Sequence, residues 1–239
     1  MKCPLRIVLG LTATFVLTSL APLRAEPEPS PIPTSWELTL QPATPTRIQV
    51  DGRTYWYLLY TVINNTGQDV DFHPEIVRVN EIENELTAEQ AAAKPDQAPS
   101  VTIDPAIVGV PSRVYQAIAD RYARTHPFLV TPVKAISRLL QGKDNAITSI
   151  AVFPDLNPRV SKFTIFFGGL SGEKIAKANP VYASRQPAAD AGKSAAADEA
   201  NPKLFVLRKT LAMPYTVPGD ASTRRTAAPV LGRMTWVMR

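Results

Sequence analysis

Four titratable side chains alternate with other residues in one short segment; they are Asp69, Asp71, His73 and Glu75. Alternate residues of a β-strand point to the same side, so these groups would share one face. Carboxylate oxygens and an imidazole are ligands for calcium or zinc. A spacing of about 7 Å between alternate residues, however, disfavours one ion meeting all four. The pattern therefore predicts the solvated face of an edge strand, with Val70 and Phe72 turned inward, and a divalent-metal site is the alternative.

Glycines and a serine cluster at residues 168–173 (GGLSGE). The cluster lacks the Lys–Ser/Thr end of a phosphate loop, and Glu173 stands where the elbow G-x-S-x-G needs its last glycine. We predict a tight turn in which glycine supplies positive φ. A nucleophilic Ser171 would need a histidine base, and no sequence feature ties His73 or His126 to it. We therefore predict no catalytic residue, and a hydrolase built on Ser171 or on a carboxylate pair is an alternative.

Aromatic side chains crowd residues 54–63 (TYWYLLYTVI), where they are Tyr55, Trp56, Tyr57 and Tyr60. Such rings could form a flat platform that stacks on sugars. They are interleaved with aliphatic residues, however, and each buried aromatic ring removes a large area from water. We therefore predict a core strand covered on both faces, with a carbohydrate-binding surface as the alternative.

The chain has 239 residues and one cysteine, Cys3. A single cysteine excludes a disulfide framework and a cysteine-rich metal site. Residues 1–25 combine a short basic region with an apolar run, which predicts a secretory signal peptide cleaved after Ala25. The protein is therefore expected to be periplasmic or extracellular, and an uncleaved amino-terminal membrane anchor is the alternative. No cofactor is predicted.

Charge is nearly balanced overall but segregated along the chain. Without residues 1–25 the protein has 23 basic and 21 acidic residues, which removes most support for nucleic-acid binding. Residues 69–104 carry nine acids and two bases, whereas residues 203–239 carry seven bases and one acid. We predict that these two segments are neighbours and compensate each other. The alternative is a basic patch for an anionic envelope component, formed by Arg208, Lys209, Arg224 and Arg225.

Three stretches interrupt the regular patterns. Residues 26–35 are proline-rich, which predicts a stiff, solvated linker. Residues 87–104 and 183–203 are rich in alanine and polar residues, which predicts flexible loops. The rest of residues 36–239 is long enough for a single domain.

Most of the remaining sequence is predicted to form short β-strands. They are expected at residues 36–40, 54–63, 70–80 with an interruption at Pro74, 146–153, 162–167, 204–213 and 234–238. The interrupted segment is predicted to be an edge strand or to carry a bulge. Several short strands separated by turns are typical of a sandwich or a barrel.

One helix is predicted at about residues 112–125. Ser112 would cap it, and three residues spaced four apart would share its buried face, namely Val114, Ile118 and Tyr122. His126, before Pro127, would interact with the carbonyl end of this helix. Residues 131–142 fit either a capped helix or a strand followed by a turn, and we favour the strand.

Three blocks of sequence carry a resemblance: YWYLLYTVINNTGQDVDFHPE (55–75), LLQGKDNAITSIAVFPDLNP (139–158) and FTIFFGGLSGE (163–173). Together with the strand that ends at Arg239, they resemble a family of uncharacterised exported proteins of planctomycete-type bacteria. The family has no assigned activity, so the resemblance implies no catalytic or binding residue. Its strand pattern implies an immunoglobulin-like sandwich, which agrees with the periodicity.

The predicted fold is therefore mainly β: an immunoglobulin-like antiparallel β-sandwich with one inserted helix and disordered linkers. The predicted function is that of a non-enzymatic exported module. It would interact with a protein or an anionic component of the cell envelope, or serve a structural role there. The alternatives are a carbohydrate- or divalent-metal-binding module and a hydrolase of unknown substrate. No nucleic-acid partner is predicted, and no membrane span after signal cleavage.

Overall fold

The computed structural model describes residues 27–82, 101–179, 182 and 202–239. The predicted signal peptide (1–25) and most of the two predicted flexible loops (87–104 and 183–203) lie outside these residues. Within them the protein is mainly β, with thirteen strands and two helices.

Strands and helices are numbered in chain order. The strands are β1 (Thr39–Pro42), β2 (Thr46–Val50), β3 (Arg53–Asn64), β4 (Val70–Phe72), β5 (Glu75–Ile82), β6 (Val101–Pro105), β7 (Ser137–Leu139), β8 (Gly142–Pro154), β9 (Val160–Gly168), β10 (Lys174–Ala178), β11 (Leu204–Thr216), β12 (Val230–Leu231) and β13 (Thr235–Met238). The helices are α1 (Ser112–Tyr122) and α2 (Pro132–Ala135).

The strands form two large antiparallel sheets and one strand pair. In the first sheet β8 pairs with β3 along almost its whole length, so β1 and β2 follow one another on the opposite edge of β3. The second sheet has the order β10–β11–β9–β5–β6, and β12 and β13 also pair with β11. β4 pairs with β7.

The two large sheets pack face to face around one apolar core. Bulky side chains of β3, β8, β9 and β11 fill it, among them Trp56, Leu58, Tyr60, Phe153, Phe163, Ile165, Phe167, Met213 and Tyr215. Alternate residues of each strand point into this layer, which is the arrangement that period-two patterning favours. The predicted antiparallel β-sandwich is thus confirmed, and its immunoglobulin-like character stays a prediction.

Helix α1 covers the outer face of the first sheet. Val114 and Ile118 pack against Tyr57 and Leu59 of β3, in a second apolar cluster. β3 is therefore covered on both faces, as its sequence predicts. The predicted cap is wrong by one position. Pro111 is the N-cap, its carbonyl accepts the Val114 N–H at 2.9 Å, and Ser112 is already helical.

Residues 131–142 form both of the structures that the sequence allows. The Thr131 hydroxyl accepts the backbone N–H of Lys134 and caps α2, which begins at Pro132. Proline is favoured at this position because its missing N–H has no helical partner to lose. The chain then extends as β7, so the favoured strand is correct only for Ser137–Leu139.

Pro74 divides the segment 70–80 into two strands, β4 and β5, as its missing N–H predicts. The predicted edge position is wrong for β5, which lies between β9 and β6. The predicted loop 87–104 is too long at its carboxyl end, because residues 101–104 belong to β6.

Asn64, the last residue of β3, is fully buried. Its amide donates to the carbonyls of Gln68 and Leu139, both at 2.8 Å, and its side-chain oxygen accepts the N–H of Thr66. Asparagine can stabilise a turn in this way. The chain therefore turns after β3 around the Asn64 side chain.

Candidate functional site

The four residues of the alternative metal site do not assemble into one. Val70 and Phe72 are buried, and Asp71 and His73 are exposed, as the alternation predicts. Asp69 pairs with Arg138 at 3.6 Å, and Glu75 lies beyond Pro74 at the start of β5. The described residues contain no group of three or more His, Cys, Asp or Glu side chains that could hold a metal ion.

The glycine cluster 168–173 is a tight turn between β9 and β10, as predicted. Gly169 has a φ of +85°, and a Cβ at this position would overlap the backbone carbonyl of His73. Only glycine fits both conditions without strain. A Cβ at Gly172 would likewise overlap the Ser35 hydroxyl and the Trp36 ring.

Ser171 is tied to the backbone rather than to a histidine. It is 8% exposed, and its hydroxyl accepts the N–H of Glu173 at 3.2 Å. His126 contacts Thr125 through Nδ1 at 3.0 Å and packs edge-on against Tyr122. Among the described residues, no hydrogen bond joins Ser171 to either histidine. The hydrolase alternative based on Ser171 therefore gains no geometric support.

The aromatic strand is not a surface platform. Trp56, Tyr57 and Tyr60 are 4% exposed or less. Tyr60 packs edge-on against Phe167 at 4.9 Å between ring centroids, and burial raises its pKa to about 12. The predicted core position is confirmed, and the sugar-stacking surface at this strand is wrong.

The alternative, a basic patch, is contradicted as one surface, because Lys209 and Arg224 are buried. Lys209 is 2% exposed, and its ammonium lies 3.0 Å from Glu37 and 3.3 Å from Glu173. It also donates to the carbonyl of Ser30 at 3.3 Å and lies 5.2 Å from the centroid of Trp236. The acidic and basic segments are not paired as strands within the described residues, since β9 separates β5 from β11, but Glu75 lines the same pocket as Arg208 and Arg239.

The electrostatics of this cluster favour its charged form. Burial alone would lower the pKa of Lys209, but hydrogen bonds and charges from Glu37 and Glu173 outweigh burial and raise it. The Ser30 N–H, donated at 2.8 Å, and then Lys209 lower the pKa of Glu173. The predicted solvated linker 26–35 is therefore anchored at Ser30. We call residues 27–36 the strap.

Next to the strap, a groove of about 600 Å³ opens on the second sheet. The strap forms one wall, and β10, β11 and β13 form the floor and the other wall. Its apolar lining includes Pro27, Pro29, Leu207, Trp236 and Met238. The groove leads onto the first half of β11, where a run of apolar side chains lies in solvent.

We call β10 and the first half of β11, residues 174–178 and 204–208, the ribbon. Leu204, Phe205 and Val206 are 51%, 42% and 57% exposed although they are consecutive in a strand. Consecutive strand residues point to opposite faces, so both faces of the ribbon are apolar and solvated. Its base is closed by Asn179, whose backbone and side-chain amides donate to the carbonyls of Lys203 and Pro202.

The ribbon and its base are also basic, with no acidic residue in 174–179 or 202–208. Their cations, all exposed, are Lys174, Lys177, Lys203 and Arg208. Within the described part of the chain none of these four forms an ion pair. Glu28 lines the groove with Lys177, and Glu75 lines a pocket with Arg208, so the local charge stays positive but is partly offset without direct ion pairs, unlike that of Lys209.

Backbone hydrogen bonds around Arg208 show which way the ribbon edge faces. The Lys209 N–H donates to the carbonyl of Glu173 at 3.0 Å, toward β10. Arg208 instead exchanges hydrogen bonds of 2.7 and 3.1 Å with Arg239, next to β13. Backbone groups alternate between the two edges of a strand. In the ribbon half of β11, the backbone N–H and C=O groups of the even-numbered residues therefore point toward the edge on which β13 lies.

Toward the start of β11, no described residue pairs with that edge beyond Arg208. β13 pairs only with residues 209–212. The backbone N–H and C=O groups of Leu204 and Val206 point to the same edge as those of Arg208. No residue of the described ranges forms a hydrogen bond with them there. An unpaired strand edge is a template for another extended chain.

A second concavity, of about 220 Å³, lies where α2 meets the open end of the sandwich. Its lining is almost entirely aliphatic and includes Ile76, Ile107, Ile136 and Ile150, with Tyr60 beneath. Such a lining offers few partners for a hydroxyl-rich sugar.

Sequence reasoning detected part of this surface. The excess of bases after residue 203 was visible, but its assignment to Lys209 and Arg224 was wrong. The run Leu204–Leu207 was identified as a strand, and nothing in it indicates that it is exposed.

No family model, curated protein or solved structure matches the chain. In the part of the chain that the structure describes, no helix is long and apolar enough to cross a membrane.

Proposed function

We propose that the protein is a non-enzymatic exported β-sandwich that acts as an interaction module of the cell envelope. The observation that carries the proposal is the ribbon, where three consecutive apolar side chains are more than 40% exposed. Single exposed apolar residues are ordinary, whereas contiguous apolar surface marks an interaction site.

Export is the part of the proposal that rests on sequence. Residues 1–25 have the pattern of a secretory signal, and the rest of the chain contains no cysteine. The resemblance to exported proteins of planctomycete-type bacteria points in the same direction. Fusion of residues 1–40 to a reporter that folds only outside the cytoplasm tests this part separately.

A non-catalytic role fits the placement of the candidate groups. Ser171 is bonded to the Glu173 backbone, and the Glu173 carboxylate is engaged by Lys209 and Ser30. Groups held in this way serve packing and anchoring. Fold alone selects no function, and the ribbon is the feature that favours an interaction role.

Site-specific photo-crosslinking in the source cell tests the interaction. A photoreactive amino acid replaces Phe205 in the ribbon or, as the control, Gln116 on α1, which is exposed on the far side of the sandwich. We expect a discrete adduct from position 205 and none from position 116. No adduct at position 205, or the same adducts at both positions, would contradict the proposal.

A further inference from the structure

We propose that the open edge of β11 binds an extended segment of a partner protein as an added β-strand. The segment would alternate apolar with acidic residues. This inference rests on the proposed interaction function and specifies the chemistry of its partner.

The edge supplies the backbone part of the recognition. The N–H and C=O groups of Leu204 and Val206 continue the line along which Arg208 already bonds Arg239. A strand laid beyond Arg239 would extend the second sheet by the same ladder. Backbone hydrogen bonds give such complexes affinity, and alternate side chains give them specificity.

The outer face of the ribbon selects the acidic residues. Lys174 pairs with Arg208 in register, so their side chains lie side by side, and the exposed Arg239 is next to them. Side chains of an added strand that point to this face would meet these three cations near Arg239 and the apolar Leu204 and Val206 farther along, and Glu75 lines the same pocket as Arg208 and Arg239. Opposite charges placed directly across neighbouring strands stabilise their pairing.

The inner face selects the apolar residues. Phe205 and Leu207 point to this face, with Lys177 beside Phe205 in register. The groove between the strap and β13 lies on the same side, and Glu28 and Lys177 are the charged residues in its otherwise apolar lining. The remaining side chains of an added strand would enter the groove against Pro29, Trp236 and Met238. Apolar on one face and acidic on the other is the pattern that alternation imposes on one strand.

Charge and hydrogen bonding argue against two other occupants. A second copy paired at the same edge would bring the two sets of ribbon cations together, and like charges across strands are destabilising. Insertion of the ribbon into lipid would leave the open backbone groups without partners. An acidic strand satisfies both the charges and the backbone.

Two fluorescent peptides of about eight residues, a typical strand length, test the proposal on the chain lacking residues 1–25. One peptide alternates valine with glutamate, and the other alternates valine with lysine. Fluorescence anisotropy at low salt should show saturable binding of the glutamate peptide only. Equal binding of both peptides, or binding of neither, overturns the proposal.

Charge variants locate the binding. The double variant Lys174→Glu and Arg208→Glu should weaken binding of the glutamate peptide by about tenfold or more. The control with the same net charge is Lys143→Glu and Arg124→Glu, at exposed positions elsewhere. Equal weakening by both pairs would reduce the effect to net charge and overturn the proposed location.

A backbone variant tests the mode. Val206→Pro removes an N–H from the open edge without touching the β10 side, whereas Val206→Thr keeps this N–H. Proline should abolish binding and threonine should preserve it, with circular dichroism confirming that both variants fold. Binding that survives proline excludes strand addition. If Val206→Pro instead dissolves a dimer seen by sedimentation, the occupant is a second copy.

The outcome also separates this inference from the proposed function. If the peptides fail while position 205 still captures a discrete protein, the interaction module stands and strand addition falls. If the peptides fail and vesicles containing phosphatidylglycerol bind the chain, the surface is a lipid contact. If position 205 captures nothing either, both proposals fall.

Discussion

The ammonium group of Lys209 lies 3.3 Å from the carboxylate of Glu173, and both side chains are almost completely buried. Removal of two charges from water is costly unless their geometry and further hydrogen bonds repay it. Here Glu37 adds a second carboxylate and Ser30 adds backbone partners to both residues. The result is a clamp that fixes the strap to the second sheet.

Substitution Lys209→Met should therefore destabilise the protein by about 3 kcal/mol, because it leaves the Glu37 and Glu173 carboxylates without their cation. The adjacent control, Arg208→Met, removes an exposed and unpaired cation and should change the unfolding free energy by less than about 0.5 kcal/mol. Urea unfolding of the two variants measures the difference. Equal midpoints would show that the clamp contributes nothing to stability.

Substitutions at Gly169 and Gly67 distinguish backbone strain from steric overlap, because both glycines have a φ of +85°. A Cβ at position 67 would meet no atom within 4 Å, whereas one at position 169 would overlap the His73 carbonyl. We expect Gly67→Ala to cost about 1 kcal/mol from backbone strain alone. Gly169→Ala should cost at least about 2 kcal/mol more, because the His73–Pro74 backbone between β4 and β5 must shift. Thermal unfolding decides, and equal losses would contradict the close approach.

We expect the buried phenol of Tyr215 to cause a loss of folding stability at alkaline pH. Burial raises the pKa of its phenol from 10.0 to about 12. The unfolded chain therefore releases this proton first, and stability falls as the pH rises from 10 toward 12. Tyr215→Phe should reduce that fall. It should also gain up to about 1 kcal/mol at neutral pH, because the buried hydroxyl has no partner among the described residues.

Urea midpoints measured from pH 7 to pH 11.5 provide the test for Tyr215. Tyr182→Phe, at an exposed position, is the control and should follow the parent protein throughout. A parallel alkaline fall in the parent and in Tyr215→Phe would exclude this phenol as its source.

Arg78 and Arg113 compare a buried with an exposed ion pair. Arg78 is 1% exposed; it donates to Asp104 at 2.7 Å and to the carbonyl of Pro154 at 3.0 Å, which joins the two large sheets. Arg113 contacts Asp51 at 3.1 Å, and both side chains are mostly exposed. Arg78→Met should cost about 3 kcal/mol and Arg113→Met less than about 1 kcal/mol. Chemical denaturation measures both, and a similar small loss would remove Arg78 as a link between the sheets.

Local sequence patterns correctly predicted the elements whose burial follows from the types and spacing of their own residues. Segment 54–63 is apolar on both faces, and it became a strand covered by a sheet and by α1. The apolar face of α1 and the turn at Gly169 followed from spacing and residue type in the same way. These predictions needed no knowledge of distant segments.

The predictions that failed concerned residues whose environment depends on segments distant in sequence. A lysine side chain is normally solvated. Lys209 can be buried because the carboxylates of Glu37 and Glu173 pair with its ammonium group. Four consecutive apolar residues at 204–207 are typical of a covered strand, yet β13 ends before it reaches them. Periodicity reports which face of a strand is apolar, but not which strands come to lie beside it.

Pairing of β3 with β8 also sets the order in which this molecule can fold. Leu59 is aligned with Ile150, so the central pair of the first sheet requires a chain closure of about ninety residues. The clamp closes later still, since Ser30 and Lys209 are 179 positions apart. A chain made from its amino terminus therefore holds most of its core apart until late in synthesis, and we expect slow, strongly cooperative folding.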